Sequence, residues 1–466
     1  MVPAMTRPRV RPRFRRWATI AGTCVALLLV HTLWDYSEAR ALQSALVTLA
    51  PDDGASIPRP GGAAWSAAPY YVAAGILAAR SPSHVARGIG DDRKALQREP
   101  PGAAVVERVG MALAREDDVF RLLDRAAELD FRGFGSLRVN LFDLFTAKLL
   151  ASLRALHAAA MGDGDAAAAS ILTQLRLEGA ERSPISTLTL DTWLLNWRSM
   201  TVVEDIRVVL SRTEPSAASL EQLAAALADA DEDTRIARFF HRSRDRLIAR
   251  SFYRLGPYDG SFAEAGLFGD GLLRGRPGLF ARIVRPLVAR DLRGRLRQYG
   301  ALLEAARSPW PGRSDAIVEA GARIWSIRRP FGSVAGLIYS VDGWLDDDPE
   351  GQRRQLHFAV ADIALVRAAR VAVAIERHRR DNAGQLPTAL TALAPRYLAM
   401  LPIDPFSGEP MHFAATTDGY VVYSVGANGQ DDGGDQVDAP PFPVIGPNSE
   451  ARMTGDVGVS IRLTRD

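Results

Sequence analysis

A short acidic, glycine-rich segment near the C-terminus holds the side chains best suited to bind a ligand. Eleven positions include one asparagine and four aspartates, Asn428, Asp431, Asp432, Asp435 and Asp438. Glycines within and beside the segment leave the backbone free to turn carbonyl oxygens inward. Hard oxygen donors in a flexible cage are what Ca²⁺ prefers, although the spacing is not that of an EF-hand. The residues alone leave two interpretations open, a calcium site or a surface loop whose Asp side chains only stabilise turns.

The rest of the chain carries no catalytic motif. The patterns of serine hydrolases, zinc proteases, P-loops and dinucleotide-binding folds are missing from the sequence. Of the seven histidines, His241 and His378 have a carboxylate nearby in sequence, and both lie in arginine-rich segments typical of salt-bridged surfaces. The single cysteine, Cys24, excludes an intrachain disulfide and a cysteine-based zinc site. We therefore expect a protein that is not an enzyme, although residues from distant positions can meet in a fold.

The overall composition is that of a folded protein without a nucleic-acid partner. The 466 residues are 47% hydrophobic and 24% charged, which suits two or three domains with hydrophobic cores. The formal net charge is only +3, so no polyanionic partner is implied. Among the 57 basic residues only Lys94 and Lys148 are lysine, and a GC-rich genome explains this bias better than selection for anion contacts.

The N-terminal residues predict a membrane anchor. An uncharged apolar stretch runs from Ala18 to Leu33 after a leader that is rich in arginine and free of acids. About eighteen residues at ~1.5 Å each give roughly 27 Å of helix, just enough to cross a hydrocarbon core. The stretch is flanked by Arg13, Arg15, Arg16, Trp17 and Trp34. The basic flank predicts a single-pass protein of a bacterial inner membrane, with leader 1–16 in the cytoplasm, anchor 17–34, and the bulk of the chain in the periplasm.

A cleaved signal peptide is the alternative for this segment. Ala39 and Ala41 form the A-x-A pattern of a cleavage site. The apolar stretch is longer than the usual signal core of about 7 to 15 residues, which favours an anchor that stays attached. Arg15 and Arg16 also stand where a twin-arginine signal would, but two arginines within an arginine-rich leader are weak evidence.

A long middle section reads as an all-α domain. After a linker over 35–65 that is rich in Gly and Pro, residues 66–347 alternate apolar helical stretches with short Gly, Pro and Asp breaks. One pair of helices is predicted at 137–161 and 166–177, with a tight turn between them. Another helix is predicted to begin at Ser219, which forms a capping box with Gln222.

Two functional interpretations exist for this section. The helix pair around 162–164 suggests a helical repeat that would bind a peptide or protein, but the pattern does not recur at a fixed spacing. The arginine-rich stretch 272–297 would suit anionic lipid headgroups or a phosphorylated partner. A solvated helix face, with Asp291 and Glu304 as local partners, is the plainer interpretation and the one we favour. The section also resembles helical regions of uncharacterised bacterial envelope proteins, through 68–71 and 285–291.

The last segment, 348–466, predicts a small α+β module. A helix begins at Asp348, Pro349 and Glu350, with a cap, a first-turn proline and an acid near the positive helix end. It ends near Asp381, before a glycine that can adopt the left-handed conformation. Short β-type runs follow at 411–414, 419–424 and 457–463, with turn residues between them. The module is therefore expected to be one long helix and an antiparallel sheet.

The order of motifs in this module resembles the C-terminal part of the major pseudopilin of type II secretion systems. The matching segments are the helix end at 374–387, a Tyr-Leu to Leu-Pro-Ile-Asp-Pro-Phe segment at 397–406, a strand segment at 418–429 and the acidic loop at 431–435. The resemblance implies a calcium loop in which Asn428, Asp435 and Asp438 are ligands and Asp431 or Asp432 assists.

The N-terminus departs from the pseudopilin pattern. Gly22 is followed by residues 23–27 without a glutamate, so prepilin-type processing is not predicted. More than three hundred residues separate the apolar span from the module, whereas one continuous helix joins them in a pilin. We therefore expect a non-catalytic, membrane-anchored envelope protein with a structural or secretion-associated role. Filament assembly is not expected.

Overall fold

The computed structural model describes a mainly helical protein. The residues described are 12–48, 67–80, 85–129, 141–181, 201–231, 236–237, 239–241, 244, 279–328, 349–434 and 455–463. Within them the chain forms twelve helices and one three-stranded antiparallel sheet. The mainly α fold class that the sequence predicts is therefore confirmed, together with a small antiparallel sheet near the C-terminus.

The helices are numbered in chain order. The first seven are α1 (Pro12–Thr48), α2 (Ala68–Arg80), α3 (Val85–Leu96), α4 (Ala103–Leu113), α5 (Asp117–Ala127), α6 (Leu141–Ala160) and α7 (Gly164–Glu181). The other five are α8 (201–212), α9 (Ala217–Ala230), α10 (Leu279–Ala305), α11 (Arg313–Arg328) and α12 (Pro349–Asp381). The described residues form two compact units, one that contains α1 and most of α10, and one that contains α2 to α9, α12 and the sheet.

Helices α6 and α7 form the helical pair that the sequence predicts. Gly162 adopts a positive φ of 78° in the turn, a conformation that glycine takes at little cost. The Asp163 side chain accepts a hydrogen bond from the backbone N–H of Ala166 at 2.9 Å, so it caps the first turn of α7. The break at residues 162–164 is therefore a tight turn between two helices, as predicted.

Helix α9 begins earlier than the sequence predicts. The N-cap is Ser216, whose hydroxyl accepts a hydrogen bond from the backbone N–H of Ser219 at 3.2 Å. Ser219, predicted as the cap, lies inside the first turn instead. Two serines three residues apart both satisfy the local capping rule, and the burial of Leu220, Leu223 and Leu227 is compatible with the longer helix.

Two hydrophobic cores stabilise the second unit. One packs α2, α4, α5 and α6 around side chains such as Leu123 and Leu153. The other packs α7, α8, α9, α12 and the sheet together, and joins Leu223 of α9 to Ile375 of α12 and Val459 of the sheet. Residues on both sides of the domain boundary predicted between 347 and 348 thus share one core.

Helix α12 and the sheet form the predicted α+β arrangement. The helix ends where Gly384, at φ 82°, lets its N–H bond back to the Arg379 carbonyl at 2.8 Å. The strands are β1 (His412–Ala415), β2 (Gly419–Ser424) and β3 (Val457–Arg462), paired antiparallel in the order β1-β2-β3. Every residue of the central strand β2 is buried. The short helix predicted from residue 387 is a 3-10 turn at Leu390–Leu393.

Candidate functional site

A buried carboxylate holds the start of the acidic loop in place. Asp404 is fully buried and accepts hydrogen bonds from the Ser424 hydroxyl at 2.6 Å and the Val425 backbone N–H at 3.1 Å. It also accepts from the Phe406 N–H at 2.9 Å and from the Ser407 hydroxyl at 3.0 Å, within its own turn. Because all four donors bind the same carboxylate, Asp404 joins the end of β2 to the turn that contains Phe406 and Ser407. The acidic loop that follows β2 therefore begins at a fixed position.

Asp431 lies against strands β1 and β2 of the sheet. Its carboxylate accepts hydrogen bonds from the Tyr423 hydroxyl at 3.0 Å and the Gly433 backbone N–H at 2.9 Å. The His412 ring nitrogen lies 3.3 Å from its other oxygen, and this ring stacks on Tyr423. The hydrogen bond from Gly433, followed by that from Tyr423, lowers the pKa of Asp431. Asp431 is therefore ionised and bound to its own sheet.

Asp456 is a functional candidate that the sequence reading missed. It precedes β3, lies almost fully buried, and accepts hydrogen bonds from the backbone N–H groups of Gly434 at 2.7 Å and Asp432 at 3.3 Å. Burial raises the pKa of this carboxyl, while the two backbone hydrogen bonds lower it and the charges of Asp432 and Asp431 raise it further. Its only signal in the sequence is an acid beside Gly455, more than twenty residues from the loop it contacts.

The oxygen donors fit Ca²⁺ in kind but form no cage by themselves. Asn428 donates from its amide to Asp432 at 3.1 Å, so this pair is hydrogen-bonded within the loop. Across the described residues, no three acidic, histidine or cysteine side chains converge as metal ligands would. Asp435 and Asp438, two of the expected ligands, lie outside the described residues. A calcium site here thus depends on those two side chains and stays a prediction.

The predicted anchor lies in helix α1. Residues Thr19–Leu42 form a helical stretch long and apolar enough to cross a membrane. The flank residues Arg13, Arg15, Arg16 and Trp17 belong to the same helix, and their side chains are outside the described set. Trp34 is half-buried and meets the His31 ring edge to face at 6.3 Å.

The exposure of the side chains of helix α1 changes along its length. Every residue from 19 to 30 is exposed. From His31 onward, partly buried positions recur about every three to four residues, and Leu42 is buried. Glu38 forms an ion pair with Arg293 of α10 at 2.8 Å. The second half of α1 therefore packs within its unit, while every residue from 19 to 30 is exposed.

The helical unit contains buried charges that serve packing. Arg93 of α3 donates to Asp205 of α8 at 2.9 Å and to the Ser152 hydroxyl at 2.8 Å. Gln174 donates to the second oxygen of Asp205 at 3.0 Å. Since both carboxylate oxygens are occupied by groups of the chain itself, this network joins four helices. It offers no open base or nucleophile.

Comparisons with known proteins add no relative to this picture. No protein-family model matches the chain, and neither curated proteins nor solved structures gave a match. The functional argument therefore depends on the geometry of the chain.

Proposed function

We propose that the protein is a non-catalytic, membrane-anchored envelope protein in which α1 crosses a bacterial inner membrane once. The helical unit and the C-terminal α+β element then stand in the periplasm with a structural or secretion-associated role. The observation that carries this proposal is that every residue from 19 to 30 in α1 is exposed.

The distribution of exposed apolar side chains supports a membrane as the partner of α1. Eight of the thirteen large hydrophobic side chains exposed in the described residues belong to this helix, and Leu27, Leu28 and Leu33 are each more than 60% exposed. The other five are Leu77, Met111, Met161, Met400 and Ile403. Soluble proteins rarely expose a continuous apolar surface of more than a few hundred Å². A bilayer covers such a helix on all sides.

The charge pattern supports the orientation. Arginines precede the apolar stretch, and Asp35 and Glu38 follow it. Basic residues near a membrane span favour the cytoplasmic side. The remaining chain, including the acidic loop, then lies outside the cytoplasm.

The secretion-associated part of the proposal is supported by the C-terminal element. The helix end at 374–387, the segments at 397–406 and 418–429 and the acidic loop at 431–435 follow one another in an order that resembles the type II secretion major pseudopilin. The shared core between α12 and α9 makes this element part of a larger helical unit. An element that is packed into a larger helical unit suits a fixed structural role in a secretion or envelope assembly better than it suits filament growth.

Membrane fractionation of the full chain in a bacterial host tests the anchor. We expect the protein in the membrane fraction after alkaline carbonate washing, and protease added to spheroplasts should digest the bulk of the chain. Release by carbonate would contradict an integral anchor. Recovery of an N-terminally shortened chain in the soluble periplasm would show a cleaved signal peptide instead.

We further propose that Ca²⁺ stabilises the C-terminal element through the acidic loop, with Asp456 added to the residues implied by the pseudopilin resemblance. A cation would relieve the repulsion among Asp431, Asp432 and the buried Asp456. Thermal melts of the detergent-solubilised full chain should show a higher melting temperature in millimolar Ca²⁺, because a ligand of the native state raises stability by mass action. The shift should disappear in Asp456→Asn and persist in Asp315→Asn, an exposed control. Equal melts with and without Ca²⁺ would remove the metal site.

A further inference from the structure

Helix α10 presents an arginine face beside the point where α1 becomes buried. Arg290, Arg293 and Arg297 are spaced by three and four residues, so they lie within about 60° of one another around the helix. We call these three residues the arginine face. Arg290 and Arg297 are exposed, and Arg293 between them is mostly buried.

The arginine face is fixed near the end of the apolar stretch. Arg293 pairs with Glu38 of α1 at 2.8 Å. Glu38 follows Trp34 by four residues, which is roughly 6 Å along the helix axis. Since α1 and this part of α10 belong to one compact unit, the arginines stand beside the level at which α1 leaves its exposed apolar half.

The two exposed guanidinium groups are available for an external anion. Neither Arg290 nor Arg297 has an ion-pair partner among the described residues, whereas Arg293 does. They are roughly 10 Å apart along α10, a separation that suits neighbouring headgroups better than one small anion. The nearest acid with a described side chain on this face is Glu304, roughly another 10 Å beyond Arg297. Guanidinium groups bind phosphate oxygens with two parallel hydrogen bonds.

We propose that the arginine face of α10 docks on anionic phospholipid headgroups at the surface of the membrane that holds α1. This inference rests on the proposed anchor, because it places the face at the bilayer surface. The occupant follows from charge complementarity and from continuity with the apolar helix. The contact would fix the unit against the membrane, where a single α1 span alone would let it tilt.

Lipid binding by the full chain in a neutral detergent tests the proposal. Phosphatidylglycerol and phosphatidylcholine are added separately, and bound lipids are counted by native mass spectrometry. The test variant is Arg290→Gln with Arg297→Gln. The matched control is Arg121→Gln with Arg125→Gln, two exposed arginines on α5 that change the net charge equally. All four positions are on solvated helix faces, so folding is expected to be unchanged, and helical circular dichroism checks it.

The expected result is a preference for phosphatidylglycerol that falls roughly tenfold in the α10 variant and persists in the α5 control. Equal binding of the two lipids by the unaltered chain would overturn the proposal, as would equal loss in both variants. Displacement of the lipid by an equal concentration of inorganic phosphate would show a free phosphate site and would also overturn it. Carbonate extraction reports on α1 separately, so failure of the anchor and failure of the lipid contact are distinguishable.

Discussion

Helices α1 and α12 are the two longest described helices, with 37 and 33 residues. In both, the exposure of the side chains is the reverse of what the number of charged residues suggests for a soluble protein. The apolar half of α1 has no charged residue, yet each residue from 19 to 30 is exposed. Helix α12 carries several arginines and acids, yet each residue from 360 to 376 except Arg370 is buried. The apolar half of α1 is exposed, whereas the central part of α12 is surrounded by partners.

The difference lies in what the chain supplies to each helix. The charges of α12 meet opposite charges or hydrogen-bond donors. Arg367 and Arg370 both bind Asp231 at the end of α9, and the Tyr420 hydroxyl donates to Glu376 at 2.8 Å. Residues 19–30 of α1 are exposed and are not buried against partners of this kind. Burial in this protein therefore follows the available partners, and we propose a membrane as the partner of the exposed half of α1.

The largest effect on localisation is expected from a charge in the exposed half of α1. Val25→Arg places a guanidinium near the centre of the span, which costs about 2.5 to 3.5 kcal/mol for insertion. We expect most of the protein to leave the carbonate-resistant membrane fraction. Met161→Arg, at an equally exposed apolar site of the helical unit, should leave localisation and stability unchanged. Equal membrane recovery of Val25→Arg and the unaltered chain would contradict the proposal that the exposed half of α1 lies in a membrane.

The largest effect on stability is expected from removing the central acid of the α12 contacts. Asp231→Ala leaves Arg367 buried without its carboxylate, which costs about 3 to 5 kcal/mol of stability. The side chains of Asp231 and Arg367 are 5% and 8% exposed. Denaturant titration of the solubilised full chain measures the change. Asp315→Ala, which breaks an exposed pair with Arg353, should cost at most about 1 kcal/mol. Similar losses of stability in the two variants would contradict the burial of the pair formed by Asp231 and Arg367.

A smaller loss is expected from the contact between α12 and the sheet. Tyr420→Phe removes the donor to Glu376 and to the Ala372 carbonyl, and buried acceptors without a donor cost about 1 to 3 kcal/mol. Tyr397→Phe removes a hydroxyl that donates at 2.9 Å to the partly exposed Asp381, where water can replace it. Thermal melts should therefore rank Tyr420→Phe well below Tyr397→Phe in melting temperature. The reverse order would argue against a buried Glu376.

The smallest effect is a pH dependence confined to the α12 side. Burial, and then the nearby Arg353, lowers the pKa of His357 on α12. The neutral ring stabilises the fold above the ordinary pKa of about 6.5, and this contribution is lost as the pH falls through the lowered value. The unaltered chain should therefore lose stability relative to His357→Gln between pH 7 and pH 5. Membrane recovery should not differ between the two variants over this range, since His357 lies outside α1. A parallel decline in both variants would contradict a lowered pKa of His357.

The sequence predicted local features of α12 well because these depend on neighbouring residues. Pro349 and Gly384 bracket the helix through backbone conformation alone. The near-complete burial of α12 was not predictable, because Asp231 and Tyr420 reach it from positions far along the chain. Asp456 was missed for the same reason, since it joins the acidic loop only through strand pairing. For α9, two serines satisfied one local rule, and the fold uses Ser216.

The single cysteine offers the most direct test of the claim that α1 is covered by a membrane. Cys24 is exposed on the apolar half of α1, and the chain has no other thiol. In native membranes we predict that a hydrophilic maleimide leaves Cys24 unlabelled from either side and labels it after denaturation in dodecyl sulfate. Cys24→Ser with Ser37→Cys moves the thiol to an exposed position beyond Trp34, where labelling should be complete without denaturant. Rapid labelling of Cys24 in intact membranes would contradict the account, because it would place the apolar half of α1 in water.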